Sequence, residues 1–292
     1  MPDKPTIILG QPFYPGNVES DSILAVFSAQ SRDKYGLTFI NVGGSNTAKA
    51  FNMLWAQALN AHRVGDADYF AMLHSDCVPR GRWLETLWDE LHANRLDLIS
   101  VVSPIKNQHG LTSCGCDVSN DDPWNVRRFT MREIMALPET FDETDTIAAG
   151  LNNNATPLLI NTGCMLIDMR NPKWQEKDAE GYLKFRFTFY DRIRTDADGD
   201  YEANSISEDW DWSRMMRRAG MRYAATRKVP LSHIGRWPYK NTTAWGDWHY
   251  DKAHPELADQ WANTAMSEDG TVLAELPEEI FDEDREEMEA VG

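Results

Sequence analysis

No apolar run in this 292-residue chain approaches the roughly 20 residues that cross a bilayer. No basic-then-apolar leader pattern opens it either. The expectation is a soluble, cytoplasmic protein with no membrane partner, residing in the host cytoplasm if it is phage-encoded. Cysteine is scarce: Cys77, Cys114, Cys116 and Cys164 are the four. Their spacing excludes a disulfide framework and suits zinc poorly, so they read as buried thiols. Basic residues are also few, 29 Lys and Arg against 46 Asp and Glu, for a net charge of -17. Broad, non-specific nucleic-acid binding is thereby excluded, because phosphate repels such a surface. There is no repeat and no Gly/Ser linker, which implies one domain over residues 1–266. Ser267–Gly292 holds 11 acidic residues and one basic, so it carries -10 of the -17 and leaves -7 elsewhere. Residues 267–292 read as a flexible acidic tail.

What is present suffices for a core: 42% hydrophobic residues and 11 tryptophans. Strand and helix signals alternate through the first half. Residues 6–10, 37–42, 68–73 and 96–104 read as strands. Residues 22–30, 47–62 and 81–94 read as helices, the last with Trp83, Leu84, Leu87, Trp88 and Leu91 on one face. This order predicts an α/β fold, a mostly parallel Rossmann-like sheet with helices on both faces. Residues 121–156 show one helix, at "MREIMAL", between polar loops. Residues 157–169 read as one strand, and 170–205 as mixed polar sequence. Residues 207–220 form a helix that Ser207 caps and Gly220 ends, with Trp212, Met215, Met216 and Ala219 buried and Arg214, Arg217 and Arg218 solvated.

The stretch "YFAMLHSDCVP" (69–79) poses the functional question. A buried run stops at His74-Ser75-Asp76, and residues two apart on a strand point the same way. Ligands of open parallel sheets bind beyond the carboxyl ends of the strands. A carboxylate there can hold a hard divalent cation that neutralises a diphosphate. A polar turn with a helix cap accounts equally well for these three residues alone.

Five segments in order carry a resemblance: "GGSNTAKAFNMLWAQAL", "DYFAMLHSDCVP", "NTGCMLIDM", "SEDWDWSRMMRRAG" and "LSHIG". Together, over roughly residues 5 to 240, they resemble nucleotide-sugar glycosyltransferases of the GT-A fold, particularly the family 2 type. The resemblance implies a GT-A fold, a nucleotide-sugar donor (a UDP-sugar foremost) and Mn2+ or Mg2+ as cofactor. Asp76 matches the second acid of the family's Asp-x-Asp and is the expected metal ligand, with His233 as a second. His74 stands where the family has the first Asp; it either hydrogen-bonds the nucleotide or adds a nitrogen ligand. Asp209 of the Glu208-Asp209 pair matches the general base of an inverting transferase, and both acids also suit a helix N-terminus. Asp211 is expected to meet the acceptor or an arginine.

Donor contacts are expected from Lys49 and Asn52 on the helix after Gly43-Gly44, and from Arg236 and Lys240 after His233. Gln11 and Pro12, in the loop after the first strand, either meet the nucleobase or form a tight turn. Trp237 and its aromatic neighbours either stack on an acceptor sugar or form part of a core lid. The acceptor stays open among a glycan, a protein and a modified base in phage DNA. Two other readings remain: a catalytically inactive nucleotide-sugar or glycan binding module, and a nucleotidyltransferase, whose usual Gly-rich N-terminal loop "ILGQPFYPG" lacks.

Overall fold

The computed structural model describes residues 4–13, 19–107, 109–119, 122–153, 156–196, 199–235 and 238–246, and the backbone of 264–266 and 272–275. The first half follows the alternating pattern: β1 (Thr6–Phe13), α1 (Ser20–Ser28), β2 (Gly36–Gly43), α2 (Thr47–Val64), β3 (Tyr69–Leu73), β4 (Cys77–Pro79), α3 (Trp83–Ala93) and β5 (Leu98–Val101). Asn46 caps α2 by accepting from the Lys49 amide, and Gly65 closes it at φ +84°, a left-handed conformation that favours glycine. Next come the hairpin β6 (Leu111–Ser119) and β7 (Asp122–Thr130), then α4 (Met131–Ala136), β8 (Thr140–Phe141), α5 (Glu143–Ala148), β9 (Leu158–Leu159) and β10 (Cys164–Asp168). The chain continues through a 3-10 turn at Pro172–Gln175, the ribbon β11 (Tyr190–Thr195) and β12 (Tyr201–Ile206), α6 (Glu208–Arg218), β13 (Tyr223–Thr226), β14 (Leu231–Ile234) and β15 (Pro238–Lys240). Two last strands, β16 (Thr264–Met266) and β17 (Val272–Glu275), pair with each other. β17 falls within the expected tail; the rest of 267–292 lies outside the described residues.

The main sheet has seven strands in the order β2-β1-β3-β10-β5-β13-β8. β2, β1 and β3 run parallel, as do β5 and β13, while β10 and β8 run against their neighbours. The fold is therefore a mixed α/β sheet, mostly parallel. An all-parallel reading of the strand-helix alternation fails at β10, because its antiparallel course has no local sequence signal. Residues 157–169 are also not one strand: β9 pairs with β6, and Ile160–Gly163 turns the chain into β10.

Alternate side chains serve opposite faces. Tyr69, Ala71 and Leu73 of β3 pack in one hydrophobic cluster with Trp83, Leu84, Leu87 and Leu91 of α3. Phe70 and Met72 pack in the other, with Phe51, Leu54 and Trp55 of α2 and Trp212 and Met216 of α6. That period of two places helices on both faces of the sheet. Trp212 stacks on Phe187 at 4.4 Å and meets Trp55 and Trp174 at 5.6 Å, which fixes the roll of α6.

Four other sequence expectations change. Ser207 occupies the N-cap of α6 but makes no side-chain cap bond. Arg214 is buried, not solvated: its Nε lies 3.0 Å from Asp117 Oδ2, and its Nη2 donates to the Pro123 carbonyl at 2.7 Å. Residues 121–156 hold β7, β8 and a second helix, α5, capped by Asp142. The polar 170–205 stretch builds the β11–β12 ribbon.

Candidate functional site

The carboxyl ends of β1, β3 and β5 and the entry to antiparallel β10 meet at one edge of the sheet. His74 continues β3, and its amide donates to the Gly163 carbonyl at 2.7 Å. A Cβ on Gly163 would lie 3.2 Å from His74 Nδ1, so glycine allows the imidazole to sit there. Phe51 supports the ring from α2, with centroids 4.6 Å apart. Burial pushes the His74 pKa down, against the pull of Asp76 and Asp209, so the ring is neutral. His74 Nε2 is buried with no hydrogen-bond partner. Such an atom is costly unless a ligand satisfies it.

Asp76 is pinned through its backbone, whose carbonyl accepts from the Ile234 amide at 2.8 Å. β14 pairs with β4 so that His233 stands opposite Cys77. His233 Nε2 then lies 3.3 Å from Asp76 Oδ2, while Nδ1 lies 2.7 Å from the Pro104 carbonyl. The Pro104 carbonyl and the ionised Asp76 carboxylate can each only accept, so the imidazole is oriented with one nitrogen on each, and a cation at Asp76 would take the place of the Nε2 proton. Burial resists ionisation of Asp76, but the His233 hydrogen bond and charge, with the Lys106 ammonium, hold its carboxyl well below the usual carboxylate range. The ligating atoms of Asp76, Cys77 and His233 lie within 4.8 Å of one another. Burial pushes the Cys77 thiol far up, so it stays protonated, and a carboxylate with one imidazole suits a hard or borderline cation. The donor set therefore fits a divalent metal. Cysteine spacing gave no hint that Cys77 would stand beside it.

Asp209 lies in the first turn of α6, near enough to His74 for the two to act on each other electrostatically. Its Oδ1 accepts from Thr162, through the amide at 3.1 Å and through the hydroxyl. Burial raises the Asp209 pKa despite those bonds and the nearby charge of Arg128. Glu208 is 5% exposed, and its Oε2 has no partner. Burial, and then the charge of Asp209, push Glu208 up to about 9. Glu208 thus keeps its proton near neutral pH, whereas Thr162 and Arg128 pull Asp209 the other way, toward its ionised form. Arg128 faces this pair from β7, its guanidinium 4.5 Å above the Trp210 ring and 3.2 Å from the Thr112 carbonyl.

The small cleft beside His74 is lined by Pro12, Phe13, Gly44, Thr47, Phe51 and Asp76 and has a volume of about 170 Å3. That is below the roughly 300–1,000 Å3 of sites that enclose a drug-sized ligand, so it suits one ring rather than a whole nucleotide sugar. A Cβ on Gly43 would lie 2.9 Å from the Phe13 ring, so this glycine lets Phe13 form a wall.

The remaining expected residues lie elsewhere. Gln11 is buried and donates to Ser22 Oγ at 2.9 Å, inside the core rather than toward the cleft. Asn52 exchanges two hydrogen bonds with the Phe187 backbone, at 2.7 and 2.8 Å. Lys49 is exposed beside it, over a separate hollow of about 630 Å3 on the α2 flank. Asp211 lines a third hollow, of about 440 Å3, with Tyr190, Arg186 and Arg218. Lys240 pairs with Ser232 and so falls on the face of β15 away from His233. Arg236 and Trp237 lie outside the described residues. A hollow of about 470 Å3 sits at the opposite end of β5 and β13, near Leu96 and Arg222, remote from the strand ends that bind ligands in such sheets. Sequence reading missed Lys106, Arg128 and Thr162 as site residues. Thr162 adjoins Gly163 in a segment already singled out, whereas Arg128 and Lys106 carried no signal.

No known family model matches the chain, and no curated protein matches it. Among solved structures it is similar to A197 from STIV, with 12% identity and a TM-score of 0.43 over 78% of this chain and 85% of that one. A likeness of this size carries no inference about activity. No helix among the described residues is long and apolar enough to cross a membrane.

Proposed function

We propose that the crevice transfers a sugar from a nucleotide-sugar donor to an acceptor hydroxyl, with a divalent cation at Asp76 and His233. The observation that carries this reading is the convergence on His74 of two opposed carboxylates. Asp76 is held ionised by cationic neighbours, and Asp209 is held ready to take a proton. A bound Mn2+ or Mg2+ would neutralise the diphosphate that leaves.

The chain's own residues do the rest. Asp209 accepts the proton as the acceptor oxygen bonds to the anomeric carbon and the bond to the diphosphate breaks. Thr162 and Arg128 favour its ionised form against the burial that raises its pKa, and a general base must be ionised to act. Thr162 fixes the carboxylate, leaving Oδ2 for the acceptor hydroxyl. Protonated Glu208 adds no second negative charge to the site. His74, neutral and with Nε2 unpartnered, is available to a donor hydroxyl or ring atom. A single displacement of this kind inverts the anomeric centre.

The test is binding. In calorimetry with UDP, GDP, CDP and dTDP, one nucleotide should bind at least about tenfold more tightly with Mn2+ than with EDTA, and Asp76→Asn should remove that gain. If no nucleotide shows a metal-dependent gain, the reading fails. Nucleotide-sugar binding with no turnover would favour the inactive binding module, for which the His74 departure is the motive.

A further inference from the structure

Lys106 belongs to none of the segments that suggested a function, yet its ammonium lies 2.6 Å from Asp76 Oδ2. His233 Nε2 approaches that same oxygen at 3.3 Å. Lys106 and His233 thus converge on one carboxylate oxygen, the atom that a bound cation would take. The approach is built into the fold. A Cβ on Gly235 would lie 2.9 Å from Lys106 Cδ and 3.5 Å from its Cβ and Cγ, so the glycine two residues after His233 leaves room for the lysine stem. The pair is also open to water, with side-chain exposures of 36% for Lys106 and 34% for Asp76. Ion pairs that solvent reaches are weak, so this one can be exchanged.

We propose that Lys106 is an exchangeable stand-in for the divalent cation. It neutralises Asp76 while the metal is absent. When a divalent cation takes Asp76, the released ammonium turns to the diphosphate and adds a second positive charge for it. This rests on the nucleotide-sugar reading above and adds to it a donor-binding residue that competes with the metal.

Mn2+ affinity is measured by electron paramagnetic resonance on the wild type, Lys106→Met, Lys106→Arg and Asp76→Asn, with no nucleotide present. UDP affinity is then measured by calorimetry at saturating Mn2+. Lys106→Met should bind Mn2+ about fivefold more tightly, the scale of an exposed ion pair, and UDP about fivefold more weakly. Lys106→Arg should restore UDP binding. A lysine that only props up the loop would weaken both when removed, so opposite signs are the signature. Unchanged or weaker Mn2+ binding in Lys106→Met overturns the exchange, as does unchanged UDP binding. Wild-type Mn2+ affinity in Asp76→Asn instead overturns the metal site itself, and absence of Mn2+ binding in both wild type and Lys106→Met overturns both. A wild type that binds Mn2+ but none of UDP, GDP, CDP and dTDP refutes the nucleotide reading, and the Mn2+ comparison alone then decides whether Lys106 competes for Asp76.

Discussion

Replacing Glu208 by glutamine should change how stability depends on pH. The carboxyl is 5% exposed and has an orphan oxygen, and burial beside Asp209 lifts it from its ordinary 4.5 to about 9. Below pH 4.5 the folded and unfolded chains both hold this proton, and its contribution to stability is complete. As pH rises toward 9, the unfolded chain releases the proton while the folded one retains it, so stability drains away. The limiting slope is about 1.4 kcal/mol per pH unit. Glutamine fills the same space and does not titrate. Between pH 6 and pH 8, the stability of Glu208→Gln relative to wild type should therefore rise by up to about 3 kcal/mol. Coupling to Asp209 can only spread that gain over a wider range. Urea unfolding at pH 6, 7 and 8 reads it directly. A gap constant to within about 0.5 kcal/mol would mean that Glu208 ionises in the folded protein, and the division of roles between the two acids would be wrong.

Asp117→Ala should cost about 3–5 kcal/mol, because it strands Arg214 as a buried, unpaired charge; thermal unfolding checks this, and a loss under about 1 kcal/mol would show that water reaches the site. Trp212→Ala should cost a similar amount, about 3–5 kcal/mol, and loosen the start of α6, which thermal unfolding reads as well. If sugar transfer is found, its kcat/KM should fall as pH drops through the raised pKa of Asp209, with a midpoint above the ordinary 3.8. A profile flat between pH 4 and pH 7 would remove Asp209 as the base.

Local periodicity made the first half of the fold legible. The apolar runs that became β1, β2, β3 and β5, and the helical stripes of α2 and α3, are set by neighbours in the chain. β10 was not legible as antiparallel, because its direction is decided by strands about 65 and 95 residues away. The same limit applies to the site. Asp76, His233 and Asp209 could be named because each sits in a segment with a recognisable pattern. Thr162 also sits in such a segment but was passed over, whereas Lys106 and Arg128 could not be named, since pairing and packing alone bring them to the strand ends. Arg214 was misread for a related reason. It lies on the polar side of α6, and only its distant partner Asp117, on β6, makes burial tolerable.

The most direct measurement is release of nucleoside diphosphate from a panel of nucleotide sugars, with Mn2+ or with EDTA, by the wild type, Asp76→Asn and Asp209→Asn. The account predicts that one donor is consumed only with Mn2+. Asp76→Asn should lose the metal dependence together with the activity. Asp209→Asn should bind that donor normally and turn it over at least about 100-fold more slowly. Turnover that survives EDTA and both substitutions, or a wild type inert toward every donor, would contradict the account.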